Sequence, residues 1–98
     1  MPPYKLEIRA RAQRDLFAIV LFVAKRNREF SIALRFGQRL LDRCEELAKV
    51  PGSGTPYRQR PGIRKWTEGA YKIFYQVTDD KVTILRIWDG RRGRDPVL

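Results

Sequence analysis

"LFAIVLFVA", Leu16–Ala24, decides the fold. A buried strand and an amphipathic helix compete for it. Leu16, Ile19, Val20 and Val23 recur at three and four, which is helical spacing, and the regular polar positions of "ARAQRD" just before extend that period. A helix is therefore predicted. Its nine-residue apolar run falls short of the ~20 residues that cross a bilayer, and no small-residue cleavage site comes after it, so neither a membrane span nor a signal peptide is expected. Phe17, Leu21 and Phe22 widen the apolar stripe around most of the helix. That width calls for cover from a partner, or from both a sheet and a second helix.

Upstream, "YKLEIRA" alternates, with Tyr4, Leu6 and Ile8 on one side and Lys5, Glu7 and Arg9 on the other, the mark of a half-buried strand. Downstream, Asn27 suits a helix stop and Ser31 a helix cap. Ala33, Phe36, Leu40, Cys44 and Leu47 then carry a second helical stripe, with Gly37 inside it. A mid-helix glycine costs ~1 kcal/mol and marks close helix packing. "VPGSGTP", 50–56, ends this helix. Strands are expected at Ile63–Trp66, Tyr71–Val77 and Val82–Trp88, with "TDDK" (78–81) as a turn. The nearly continuous apolar character of 82–88 predicts a central strand buried on both faces. The order is β-α-α-β-β-β, an α+β fold in which a helical hairpin packs on a small, mainly antiparallel sheet. The other sheet face is expected to be partly exposed and basic.

Ninety-eight residues make one domain, 1–98, without low-complexity segments. Lys and Arg number 21 against 11 acids, a net +10. Residues 1–49 hold eleven bases and six acids, and 50–98 ten and five, so each half is +5. The basicity is spread through the fold and predicts an acidic partner, nucleic acid or an acidic protein segment. A single cysteine excludes an internal disulfide and suits a reducing cytosol. With no histidine, a zinc site of the usual ligand types is excluded as well, and no metal or cofactor is expected. Cys44 lies in the apolar stripe, a core position.

Taken together, the Ala12 to Asp15-Leu16 spacing, "LAKVPGSG", Arg64 ahead of "YKIFY", and a last strand running into "GRR" resemble the RelE/ParE toxin superfamily along essentially the whole chain. The resemblance implies a cytoplasmic toxin of a bacterial type II toxin–antitoxin module, of the kind linked to plasmid stabilisation. It also implies a cognate antitoxin that wraps an amphipathic or acidic segment around the toxin and reaches operator DNA through its own domain. Leu16, Phe17, Val20, Leu21 and Phe22 are the expected antitoxin-binding residues.

The superfamily has two branches. A RelE-like, ribosome-dependent mRNA endonuclease needs cations for the phosphorane, here Arg64, Lys65, Lys72, Arg91 and Arg92, together with a proton-transfer pair. Aligned on Gly90-Arg91-Arg92, the tail position of the usual acid/base falls at about Leu98, which moves no proton. Tyr57, Tyr71 and Tyr75 remain, but Tyr71 and Tyr75 share a strand face with Ile73 and Val77, a core pattern. A ParE-like poison of DNA gyrase needs only a binding surface, with Arg64, Lys65, Arg91, Arg92 and Arg94 as target-binding residues, and this branch is favoured. Asp89 and Asp95 are expected to hold arginines by bidentate pairing. A third reading is a non-toxic nucleic-acid-binding module using Trp66 and Trp88.

Overall fold

The computed structural model describes residues 4–98. Strand β1 (Lys5–Ile8) leads into helices α1 (Ala10–Arg26) and α2 (Phe30–Lys49). A single 3₁₀ turn at Pro51–Ser53 comes next, then β2 (Thr55–Pro56), β3 (Ile63–Glu68), β4 (Tyr71–Val77) and β5 (Lys81–Asp89). The sheet order is β1-β5-β4-β3-β2. β1 runs parallel to β5, and the other neighbours are antiparallel. The α+β fold expected from the sequence is the one observed, with one strand more: β2, two residues long, lies on the outer edge of β3.

Asn27 stops α1 as expected, its side-chain amide donating to the Val23 carbonyl at 2.8 Å. Ser31 does not cap α2. That helix begins at Phe30, two residues earlier than a Ser31 cap would place it, with Glu29 at the cap position and no side-chain cap bond. Gly37 does mark close packing: a Cβ there would lie 2.7 Å from Cγ2 of Val20.

On the helix side of the sheet, Ile19, Leu40, Cys44 and Leu47 close over Tyr71, Ile73, Tyr75, Val82, Ile84 and Ile87. Burial pushes the Cys44 thiol up to about 12, so it is a core group and no nucleophile. Tyr71 and Tyr75 are core residues too, 5% and 0% exposed. The register between β4 and β5 slips at Phe74/Tyr75, because Phe74 faces Arg86 while Tyr75 faces Ile84. The bulge switches the alternation of β5, so Ile84 and Ile87 serve the same core.

The outer face departs from the sequence expectation. It carries a second small core of Tyr57, Ile63, Phe74, Leu85 and Trp88, against which Leu98 packs. The basic side chains lie over this cluster, so the face is not a bare cationic sheet. β5 is thereby buried on both sides, as its composition predicts.

The 3₁₀ turn is closed by side chains. Tyr75 donates from its hydroxyl to the Pro51 carbonyl at 2.7 Å and accepts from the Gly54 N–H at 2.9 Å. A Cβ on Gly54 would sit 2.6 Å from both that hydroxyl and the Lys65 carbonyl oxygen. Backbone cannot give way as a flexible side chain can. Gly54→Ala is therefore expected to destabilise the fold by about 2 kcal/mol, as overpacking does, measurable as a lower midpoint in urea.

Candidate target-binding rim

The chain leaves β5 at Asp89 and turns at the rim of the sheet. The Gly90 N–H donates to the Ala70 carbonyl at 2.8 Å, which ties the turn to the start of β4. Asp89 then fixes Arg91. One carboxylate oxygen accepts from the Arg91 N–H and Nε, both at 2.9 Å, and the other accepts from Arg91 Nη2 at 3.0 Å. This bidentate grip holds the Asp89 carboxyl below the usual carboxylate range. The guanidinium of Arg91 lies 5.7 Å from the Tyr71 ring centroid.

Arg92 is held differently. Its guanidinium stacks over the Trp88 ring at 4.3 Å, with Arg86 at 5.1 Å and Arg94 at 6.0 Å from the same ring. Trp88 donates from Nε1 to the Arg94 carbonyl at 2.8 Å, so one indole supports the arginines and ties down the backbone that carries them. Asp95 does not pair with an arginine as expected. It accepts from the Tyr57 hydroxyl at 3.0 Å and lies 3.8 Å from Lys72 Nζ. Desolvation and the Asp95 bond raise the Tyr57 hydroxyl above its ordinary value.

Sequence reasoning missed the group that organises this rim. Asp15 on α1 accepts from Arg86 Nε at 2.8 Å, Arg86 Nη2 at 3.0 Å and the Ile87 N–H at 3.0 Å. Arg86 Nη1 donates onward to the Val97 carbonyl at 2.9 Å. Asp15 was visible as part of a motif, but its partner 71 residues away was not. Between α1 and the rim lies an open cleft of about 290 Å³, whose lining includes Asp15, Ile19, Phe22, Tyr71, Trp88 and Arg92.

A model of the family described as the ParE toxin of the type II toxin–antitoxin system parDE matches residues 6–94. The chain belongs to the ParE toxin family. Among solved structures, it is similar to a chain of the chromosomal ParDE toxin–antitoxin system of P. aeruginosa, at 26% identity and a TM-score of 0.78, covering 88% of this chain and 95% of that one. It is also similar to a chain of the RelBE2 toxin–antitoxin complex of Mycobacterium tuberculosis, at 25% identity and a TM-score of 0.59, covering 89% and 91%. Curated protein sequences yield no match.

On this ParE-family scaffold the expected site residues separate. Arg91, Arg92, Arg94 and Lys72 come together at the rim. Arg64 does not join them, because it pairs with Tyr75 and, one strand further, with Ile84, five positions short of Asp89. That offset along the strands is about 17 Å, plus two strand spacings across. Arg64 instead donates to the Gly52 and Gly54 carbonyls and closes the 3₁₀ turn. Lys65 sits on the outer face, 5.9 Å from the Tyr57 ring.

The expected antitoxin-binding residues separate as well. Phe17, Leu21 and Phe22 are exposed, Phe17 to 66%. Leu16 packs on the main core, and Val20 is wedged against Gly37. Phe30, Ile32 and Leu34 on α2 are also exposed, and they were missed because they fall outside the helical stripe. Among the described residues, no helix is long and apolar enough to cross a membrane.

Two variants test this geometry. Asp15→Ala strands Arg86, which is 12% exposed, and frees the Ile87 N–H. The loss is expected at about 3 kcal/mol, with the melting temperature of Arg86→Ala/Asp15→Ala close to that of either single variant. Arg91→Ala should raise the Asp89 titration midpoint, read by carboxyl-carbon NMR. The folded carboxyl titrates below its unfolded value of about 3.9. Its stabilising contribution is therefore complete above that pH and fades as pH falls through the folded midpoint, a fade the variant should lack.

Proposed function

We propose that this protein arrests growth by poisoning DNA gyrase through the rim at Asp89–Arg94, and that a cognate antitoxin neutralises it in the cytoplasm. The observation that carries this reading is the way the rim arginines are presented. Arg92 stands exposed on the Trp88 ring without an ion pair among the described residues, and Arg91 is aimed by Asp89. Preorganised cations of this kind suit recognition of an acidic surface.

The nuclease reading lacks support at the same place. A metal-free cut of RNA requires groups that take and give protons at the phosphate. Tyr71 is 5% exposed and its hydroxyl accepts from Arg91 Nη2 at 3.4 Å, while Tyr75 is fully buried, its hydroxyl engaged by Pro51 and Gly54. The Tyr57 hydroxyl is committed to Asp95 and is harder to deprotonate than usual. Leu98 packs against the outer-face cluster. The family match and the higher TM-score to a ParDE chain than to a RelBE2 chain support the same branch.

For the antitoxin, the exposed aromatic and aliphatic side chains of the helical hairpin supply the apolar anchors that an amphipathic segment requires, Phe17, Phe22 and Phe30 above all. The positive surface around them favours an acidic segment. Operator DNA would then be met through the antitoxin complex.

The purified protein should inhibit supercoiling by gyrase and leave translated mRNA uncut. Arg92→Ala should weaken inhibition about tenfold or more, the scale of one charge-assisted contact. Its stability should fall by less than about 1 kcal/mol, the worth of an exposed cation–π pair. Codon-positioned cuts in ribosome-bound mRNA, with gyrase unaffected, would reverse the assignment.

A further inference from the structure

We propose that the outer face of the sheet is itself a binding surface for the sugar-phosphate backbone of duplex DNA. Five cations define it, Arg92 standing at its rim end, where it also lines the cleft beside α1. Lys65 and Arg58 line an open depression of about 510 Å³ beside Tyr57. Lys72 lies directly across from Trp88, whose ring carries Arg92 and Arg94. Arg58, Lys65, Arg92 and Arg94 are in no ion pair among the described residues, and the one carboxylate near Lys72 is 3.8 Å away.

The carboxylates are placed elsewhere or already engaged. Asp42, Glu45 and Glu46 lie on α2, on the helix side of the sheet. Glu68 is bonded to Arg43 and Trp66, Asp89 to Arg91, Asp15 to Arg86, and Glu7 to Lys81. The outer face therefore holds cations in excess of what the fold consumes.

Spacing and chemistry narrow the ligand. Thr67 faces Lys72, so Lys65 is its diagonal neighbour on the next strand, about 7–8 Å away. That step is close to the ~7 Å between consecutive phosphates of one strand, which climb about 3.4 Å of axis per step on a helical path. Single-stranded nucleic acid is held by exposed ring faces on which bases stack. Here Trp88, Tyr57 and Phe74 are 5%, 9% and 0% exposed, lying beneath the cations. An acidic peptide needs apolar anchors, and those stand on the helical hairpin at Phe17, Leu21, Phe22 and Phe30, whereas the tail on this side offers Val97. The face presents several cations, unpaired among the described residues, over rings that are themselves covered, which suits reading a duplex by its backbone and not by its sequence.

Naked DNA is the probe, so the outcome is independent of the gyrase reading. Fluorescence anisotropy of a labelled 20-base-pair duplex of arbitrary sequence, with the full chain titrated between 50 and 300 mM KCl, reads the number of phosphate contacts. Four to five contacts predict a slope of log K against log salt of about −4. Lys65→Gln, Lys72→Gln and Arg92→Gln should each make that slope shallower by about one and weaken binding several-fold at 100 mM salt, with melting temperatures that show the variants folded. Arg35→Gln and Arg39→Gln on α2 remove the same charge away from the face and should leave the slope unchanged. Equal losses in the α2 variants would reduce the effect to diffuse net charge and overturn the proposal. So would undetectable binding at 50 mM salt or tighter binding of a single strand of equal length. Displacement of the duplex by poly-glutamate at equal charge concentration would reassign the face to an acidic polypeptide.

Discussion

One carboxylate joins the parts of this molecule that its sequence keeps furthest apart. Strand β1 pairs with β5 only from Lys81 to Ile84, so the same edge of β5 is left without a strand partner just where the chain heads for the rim. The Arg9 N–H closes on the Ile84 carbonyl at 3.1 Å, and Asp15 then takes the next exposed donor, the Ile87 N–H. A side chain from a helix thus finishes the ladder that a strand began. Because Asp15 also grips Arg86, and Arg86 grips the Val97 carbonyl, the same group fixes helix, central strand and tail to one another. Burying such a pair is no guarantee of net stability, since desolvation opposes it. What it supplies is a unique arrangement, because either partner left alone would be a charge with little access to water.

The rim inherits its order from that anchor. Arg86 sets one boundary of the Trp88 ring, and the ring in turn carries Arg92 and receives the turn at Arg94. Arg91 is held by a carboxylate two residues away. Arginines that would repel one another on a free tail are each given a fixed neighbour, aromatic or anionic, so repulsion is offset locally and the guanidiniums stay accessible. The lost freedom of these side chains is charged to folding rather than to binding.

Much of the architecture was legible because it rests on periodicity. The two helices, the alternating first strand, the doubly buried β5 and the glycine at the helix crossing are all set by patterns a few residues long. The errors share a different origin. β2 has two residues, too few to carry any alternation. Ser31 has the chemistry of a cap, but the helix starts at Phe30, one turn position ahead of it. Arg64 reads as a site residue because it is a cation on the short strand ahead of "YKIFY", in the pattern that resembles the superfamily. Which end of the sheet it occupies depends on register, and register here passes through the bulge at Phe74/Tyr75. Leu16 and Val20 share the apolar run with Phe17 and Phe22, and only packing distinguishes the residues the core consumes from those it leaves out. Contacts spanning most of the chain, such as Asp15 with Arg86, leave no local trace.

The two surpluses of the fold lie on opposite sides, and the reason is how a small domain is built. A sheet covered by a helical hairpin has one thick core, and its helices must turn an outer face to solvent; here that face still holds Phe17, Phe22 and Phe30. The second sheet face has no helix to cover it, so its aromatic cluster is sealed by what lies nearby, the segment from Tyr57, the tail, the aliphatic stem of Lys65, and the guanidiniums of Arg86 and Arg92. Cations are the side chains able to do this, because they cover a ring with one part and reach water with the other. Basicity on that face is therefore a packing solution first. Lys65 and Arg92, which help to close the core, have no ion-pair partner among the described residues, and the proposed binding surface rests on that surplus.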